Sequence, residues 1–305
     1  MVDSVVIGSD TRVKGLDFER WFLEHKPDIL VVTEDDKFEL VKRELCEKCG
    51  SRYVVLPKTP PNIPPVSTTS LLQGIRAPLQ APLRVDFGGG WLDVPRHSVG
   101  GGVVVNCSIS PLVELEDWKG YEIRSGLGGS GAFAILKGLN GVEMEVEELG
   151  VGWQDPAVIE ETGCCVWRSG REPRLWYKSG GEWLRGKMGI WYTGGQHDTP
   201  GNADNKRNYG KILGAGKKCE EGVRGEDVKV LGEGVMMSYE AQLGEGMEEL
   251  PKVEGSVGMK YCGGGWGGYA VYLFEDVGRR DEVCKGDGWK VVEPYCKGVG
   301  GLKGV

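Results

Sequence analysis

Apolar and polar positions alternate in short blocks along the first quarter of the chain. Residues 3–9, with Val5-Val6-Ile7 at their centre, read as a short buried strand that ends in a turn. The stretch from Asp17 to His25 has helical spacing. Asp28 to Thr33 is a second apolar, β-branched run, closed by the polar Glu34-Asp35-Asp36. Phe38 to Cys49 is amphipathic at helical spacing, and Arg52 to Leu56 is a third strand pattern. Strand and helix in alternation predict a small parallel α/β unit.

The pattern then breaks. Pro57 to Pro65 holds five prolines in nine residues, which excludes helix and central strand. A loop is expected there, then a short helix capped by Ser67-Thr68-Thr69-Ser70 and running through Ile75, then a linker from Arg76 to Gln80. This places one domain at 1–78 and a second at 79–305. In the second, Leu83–Phe87 and Val103–Ile109 read as strands around a glycine-rich turn. Ala132–Leu139 reads as a short helix stopped by Asn140-Gly141, and Glu143–Glu148 as another. Tyr209 to Gly216 and Asp227 to Leu250 are helical patterns, the latter with internal glycines where a break is expected. Tyr269–Phe274 is a strand pattern. No internal repeat is present.

Composition narrows the function classes. The 305 residues carry a formal net charge of -8, which disfavours a nucleic-acid or anionic-membrane partner. No apolar run approaches the ~18 residues of a membrane span. The start, Met1-Val2-Asp3-Ser4, lacks the basic and apolar regions of a signal peptide, so a cytoplasmic location is expected. Nine cysteines in a chain this long read as reduced thiols rather than a disulfide framework. Cys46 and Cys49 have CxxC spacing, but no second pair stands at finger spacing. His25, His97 and His197 are too scattered for a metal site. The 51 glycines are roughly 17% of the chain against a usual ~7%, and imply many tight turns and close backbone approaches.

Four stretches carry candidate chemistry. Gly126-Leu127-Gly128-Gly129-Ser130-Gly131-Ala132 precedes a helix pattern. Glycine backbone there can turn N–H groups toward an anion, the helix N-terminus adds its positive end, and Ser130 can donate to phosphate or ligate Mg²⁺. No lysine follows, so this is not a Walker A loop, and a plain turn fits it equally well. Cys262-Gly263-Gly264-Gly265-Trp266-Gly267-Gly268 leads into a strand; it is either a flexible bend or a loop held on a scaffold for function. Gly152-Trp153-Gln154-Asp155-Pro156 holds a carboxylate able to take or orient a hydroxyl proton, or else a turn Asp before proline. In Phe87-Gly88-Gly89-Gly90-Trp91-Leu92-Asp93-Val94-Pro95, Trp91 can stack on a sugar face and Asp93 can accept hydroxyl hydrogen bonds. Both residue types also occur in ordinary loops.

Taken in order, these stretches resemble the GHMP kinases, the superfamily of galactokinase, homoserine kinase, mevalonate kinase and phosphomevalonate kinase. Ala81–Phe87 with Gly89–Asp93 looks like the opening motif of its fucokinase and heptose-phosphate kinase branch. Gly126–Ala132 looks like the phosphate loop, Gly152–Asp155 like the segment with the catalytic Asp, and Lys260–Tyr269 like the third motif, which buttresses the phosphate loop. The resemblance spans roughly residues 79 to 275. It implies a two-lobed α/β and α+β fold and ATP-dependent phosphorylation of a hydroxyl, the anomeric one among them, on a sugar or sugar phosphate. It implies Asp155 and Arg84 as catalytic residues, and Gly126 to Gly131, Gly264 and Gly265 as the ATP-binding backbone. Asp93, Trp91 and Gly90 would be the substrate contacts, and Ser130 and Glu145 the Mg²⁺ ligands. The departures are Gly129-Ser130-Gly131 where the family has two or three serines, a short segment from Ser130 to Glu145, and Pro156 in place of a Gln.

The first 75 residues resemble the C-terminal part of a cytidylyltransferase-type α/β domain, through Asp28–Thr33, Lys42-Arg43 and Pro65–Ser70. That family's HxGH motif is absent, so nucleotidyl transfer is not expected here. The alternative to a kinase is a binding protein that kept the fold with little or no activity. The thinned serines favour it, and the pairing of Asp155 with Glu145 argues against it.

Overall fold

The computed structural model describes residues 16–57, 77–195 and 205–297. The chain divides into two units, Met1–Leu71 and Leu72–Val305. The expected strand at 3–9, the capped helix at 67–75 and His197 lie outside the described residues.

In the first unit, helix α1 (Glu19–His25) is followed by strand β1 (Ile29–Thr33), helix α2 (Glu39–Cys49) and strand β2 (Arg52–Leu56). β1 and β2 pair in parallel, Ile29 against Arg52 through Thr33 against Leu56, as the alternating pattern predicted. Gly50 ends α2 in the left-handed conformation (φ 75°), returning its N–H to the carbonyls of Cys46 and Glu47. Phe22, Leu45 and Cys46 form the small core, so Cys46 is a packing residue. His25 stacks on Trp21, with ring centroids 4.6 Å apart. Among the described residues, no group of three or more His, Cys, Asp or Glu is placed to hold a metal.

The second unit is built on an eight-stranded antiparallel sheet. Its strands are β3 (Ala81–Gly88), β4 (Val103–Val113), β5 (Cys164–Arg168), β6 (Arg174–Ser179), β7 (Met188–Tyr192), β8 (Ser256–Tyr261), β9 (Tyr269–Phe274) and β10 (Trp289–Pro294). The order is β6-β5-β4-β10-β7-β9-β8, with β3 also on β4. β4 is long enough to serve three neighbours: β5 along Val103–Cys107, β10 at Ile109 and Ser110, and β3 along its length. β3, β4 and β9 are buried over most or all of their length, so both of their faces are covered.

Helix α3 (Gly129–Leu136) leads to a helical turn at Gly141–Glu143, which passes directly into a π-turn at Met144–Glu148. Helix α4 (Gln154–Glu161) precedes β5. Helices α5 (Tyr209–Gly225) and α6 (Val228–Gly244) pack together and on the sheet, and the short α7 (Val277–Val283) precedes β10.

Two helices run past the glycines where a stop or break is expected, because glycines here are contact points rather than breaks. α5 does not stop at Gly216, because Gly216 is pressed on the sheet; a Cβ there would lie 2.2 Å from the Val103 carbonyl oxygen. α6 runs unbroken through Gly232 and Gly234, where added Cβ atoms would sit 2.4 Å from the Val257 carbonyl oxygen and 2.6 Å from the Cys219 amide. It ends at Gly244, before the expected Leu250. α3 opens three residues earlier than expected, at Gly129, and Asn140 does not end it. Asn140 instead caps the following turn, accepting from the Glu143 N–H (3.2 Å). Among the described residues, no helix is long and apolar enough to cross a membrane.

Candidate active site

The site begins on β3. Residues two apart on a strand share a face, so Arg84 and Asp86 point together, and they are 2% and 1% exposed. Buried charges need partners. Arg84 grips Asp155 with a bidentate fork, Nε to Oδ1 at 2.6 Å and Nη2 to Oδ2 at 2.8 Å. Its Nη1 donates to the Gly126 carbonyl and lies 3.5 Å from Asp86 Oδ1. Asp86 in turn accepts from Lys260 Nζ and from the Gly263 N–H (2.6 Å). Burial opposes the charge on Arg84 and on Asp86, and their partners outweigh it. Asp155 and Asp86 push Arg84 above its ordinary value, while Lys260 and Arg84 hold Asp86 below its own. One buried ladder of charges therefore ties β3, β8, the loop after β8 and the head of α4 together.

The glycine loop at 126–131 lies over this ladder. Gly126 (φ 76°) and Gly128 (φ 75°) take left-handed backbone, and Gly128 is the N-cap of α3. The loop is held from behind by the Arg84 N–H to Leu127 carbonyl bond (3.0 Å) and the Tyr269 N–H to Ser125 carbonyl bond (2.8 Å). The second glycine loop packs on its back: a Cβ at Gly126 would be 2.5 Å from the Cys262 carbonyl oxygen, and one at Gly268 2.3 Å from that of Ser125. A Cβ at Gly128 would lie 3.0 Å from Arg84 Cγ and 3.3 Å from Asp155 Cβ, so the loop opens directly beside the Arg84–Asp155 pair.

A cavity of about 800 Å³ joins these pieces. Arg84, Gly90, Trp91, Asp93, Gly126, Leu127, Gly128, Gly129, Ser130, Glu145, Asp155 and Gly264 all line it. Two residues of the expected phosphate set do not. Gly131 faces Pro156, where a Cβ would be 2.9 Å from the proline nitrogen, and Gly265 faces Met247, whose sulfur would be 2.3 Å from a Cβ. Their glycines are required by packing.

Beside Asp155 lie two further carboxylates. Asp93 accepts from the Gln154 backbone N–H (3.3 Å) and side-chain Nε2 (3.4 Å). Burial, then repulsion from Asp155, pushes its pKa up to about 7. Glu145 accepts from Ser130 Oγ (2.5 Å), and burial and the Asp155 charge raise its pKa as well. A hydroxyl and a carboxylate side by side, in a pocket with more anions than its cations offset, fit a hard divalent cation such as Mg²⁺. That ion takes one or two protein oxygens and completes its shell with phosphates and water.

Trp91 has a left-handed backbone (φ 76°) and carries the Arg207 guanidinium 3.6 Å from its ring centre. Trp153 and Trp167 are core residues packed edge to face, their indole N–H groups donating to the Gly170 carbonyl and Asn106 Oδ1. His97 packs against Tyr209, away from the cavity lining. Asp86, Lys260, Gln154 and Trp118 were not singled out from sequence. A signal existed for two of them: Asp86 shares a strand face with Arg84, and Lys260 is a cation in a strand that is otherwise apolar or small around it.

No protein-family model matches the chain, and no curated protein matches it. Solved structures do. A mevalonate kinase aligns with 72% of this chain and 99% of its own length at TM-score 0.55 and 13% identity. The Methanococcus jannaschii mevalonate kinase aligns with 71% and 97% at TM-score 0.53 and 14% identity. The L. major mevalonate kinase in complex with R-mevalonate aligns with 72% and 96% at TM-score 0.51 and 14% identity. At such identities the likeness is one of fold, and the fold is the one the motif resemblance implied.

Proposed function

We propose that this chain is an ATP-dependent kinase that transfers the γ-phosphoryl group to a hydroxyl of a sugar. The observation that carries this reading is the Arg84–Asp155 pair set directly under Gly128 of the glycine loop, inside one cavity. Phosphoryl transfer asks little of a protein beyond positioning, charge neutralisation and care of one proton, and the residues divide along those lines.

The backbone of Gly126 to Ser130 and the first turn of α3 cradle the phosphates. Trp118, Ile123 and Phe133 give the same cavity an apolar wall beside that loop, suited to a nucleobase. Ser130 and Glu145 would hold Mg²⁺, which when bound offsets charge on the phosphate oxygens. Asp155 faces the acceptor: its carboxylate accepts the hydroxyl proton as the new O–P bond forms and the bond to the departing ADP breaks. Arg84 fixes both Asp155 oxygens and so sets the direction in which that carboxylate faces. Trp91, Gly90 and Asp93 form the acceptor end. The fold shared with kinases supports this reading, and the ordered motifs add to it.

The test is ADP release from Mg·ATP across a panel of sugars, with Asp155→Asn as the control. A sugar-dependent rate that falls at least 100-fold in the variant, with ATP binding retained by titration, is the expected result. ATP binding without sugar-dependent turnover would favour a binding protein on a kinase fold. A variant that keeps near-normal rate would remove Asp155 from its role.

A further inference from the structure

The acceptor end holds an unanswered hydrogen-bond acceptor. Gln154 is 8% exposed, lines the cavity, and its Oε1 is buried with no hydrogen-bond partner among the described residues. Its orientation is determined by Asp93. The side-chain Nε2 and backbone N–H both turn to that carboxylate, which leaves Oε1 to face elsewhere. Gly90 keeps the neighbouring space open, since a Cβ there would lie 3.6 Å from Gln154 Nε2. A buried carbonyl oxygen left unpaired is costly, so a donor supplied by a ligand would be gained at full value.

The charges around it point one way. The carboxylates lining the cavity are Asp93, Glu122, Glu145 and Asp155, against Arg84 and Arg124. Arg84 is committed to Asp155, the Gly126 carbonyl and Asp86. Arg124 is exposed and stands two residues before Gly126, on the phosphate-loop side. Arg207 stacks on Trp91 but pairs with Glu245 (3.1 Å) and does not line the cavity. Among the described lining residues, then, the Asp93–Gln154 corner offers acceptors and no uncommitted cation. Anionic groups on an acceptor are usually met by Arg or Lys, and hydroxyl hydrogens by carboxylate and amide oxygens.

Resting on the kinase reading above, we infer that the acceptor is an uncharged polyhydroxyl compound, a free sugar rather than a sugar phosphate, and that Gln154 Oε1 accepts a hydrogen bond from one of its hydroxyls. Gln154 is thereby a specificity residue: it does not take part in the proton transfer, and it selects what Asp155 meets.

The experiment is calorimetric titration of the full chain, loaded with Mg²⁺ and a non-hydrolysable ATP analogue. The titrants are free hexoses, 6-deoxyhexoses and heptoses, each compared with its 1-phosphate and its terminal phosphate. At least one free sugar should bind ten-fold or more tightly than its phosphates. Gln154→Leu should weaken that sugar about ten-fold, leaving analogue affinity within two-fold as proof of fold. A phosphate that binds as tightly as its parent sugar, a panel in which no free sugar binds, or a Leu variant with unchanged sugar affinity overturns the inference. ADP release measured in parallel separates the two readings. A free sugar that binds selectively without turnover sinks the kinase and leaves the acceptor class standing, and turnover on a sugar phosphate alone does the reverse.

Discussion

Lys260→Met is the most searching perturbation of the charge ladder beneath the site. The Lys260 and Asp86 side chains are 3% and 1% exposed, and the ammonium reaches both the Asp86 carboxylate and its backbone carbonyl, the latter at 3.1 Å. Removing the cation leaves a buried carboxylate supported by the Gly263 N–H at 2.6 Å and by Arg84 at 3.5 Å. Breaking one side of such a pair costs about 3–5 kcal/mol, because the remaining charge is stranded. In a unit of this size that is a fall in Tm of roughly 6–20 °C. The double variant Asp86→Asn/Lys260→Met strands no charge, and Asn can still accept from Gly263, so it should recover at least about 2 kcal/mol of the loss.

The assay is urea unfolding of Lys260→Met, Asp86→Asn and the double variant, followed by tryptophan fluorescence. The sign of the pH dependence adds a check. Asp86 is held below its ordinary value, so the pair's contribution is present above about pH 4 and is lost as the pH falls through the depressed value. The penalty of Lys260→Met should therefore shrink in acid. Single variants within about 1 kcal/mol of wild type, or costs that simply add in the double variant, would refute the ladder as a coupled unit.

Three further outcomes are expected. Gly126→Ala forces a Cβ to 2.5 Å from the Cys262 carbonyl at a left-handed backbone position, and should cost about 1–3 kcal/mol in urea unfolding and weaken ATP in titration; an unchanged midpoint would mean the two glycine loops are not locked together. Ser130→Ala should raise the Mg²⁺ concentration for half-maximal ATP use about ten-fold, at one oxygen ligand lost; an unmoved Mg²⁺ curve argues against the ligand role. Asp93 titrates near pH 7 when folded and near 4 when unfolded, so folding loses stability as the pH rises between those values; metal-free Asp93→Asn should be more stable than wild type at pH 8, by up to about 4 kcal/mol, with the gap closing towards pH 4 in thermal scans.

Much of this was legible because it is written in local pattern. β1, α2, β2, β3, β4 and β9 announce themselves by run length and period, and the glycine loops by composition. What stayed hidden depends on contacts far apart in sequence. β5, β6, β7, β8 and β10 are five or six residues long, as are β1, β2 and β9, but charged or glycine positions interrupt most of them, and only the ladder across the sheet makes them strands. Helices α5 and α6 were misjudged at their glycines, because propensity counts the missing Cβ as a loss. In the fold it is the condition for two helices and a sheet to touch. Gln154 gave no signal as a carbonyl oxygen, since what distinguishes it is burial and partnership.

The short segment between Ser130 and Glu145, a departure from the motif, still brings its two ends together. α3 ends at Leu136, the chain turns, and Asn140 caps a new helical turn that passes at once into the π-turn at Met144–Glu148. A π-turn places its residues at a different angle from the α-helical turn before it, and here the buried Glu145 side chain reaches Ser130 Oγ. Pro156, at the head of α4, packs between two glycines of this connection. A Cβ at Gly131 would lie 2.9 Å from the Pro156 nitrogen, and one at Gly141 2.6 Å from its Cβ. Proline tolerates the first turn of a helix, where its missing N–H has no intrahelical role. Gly131, Gly141 and Pro156 thus pack as one unit. In this packing a short connection brings a hydroxyl and a carboxylate together at the cavity wall.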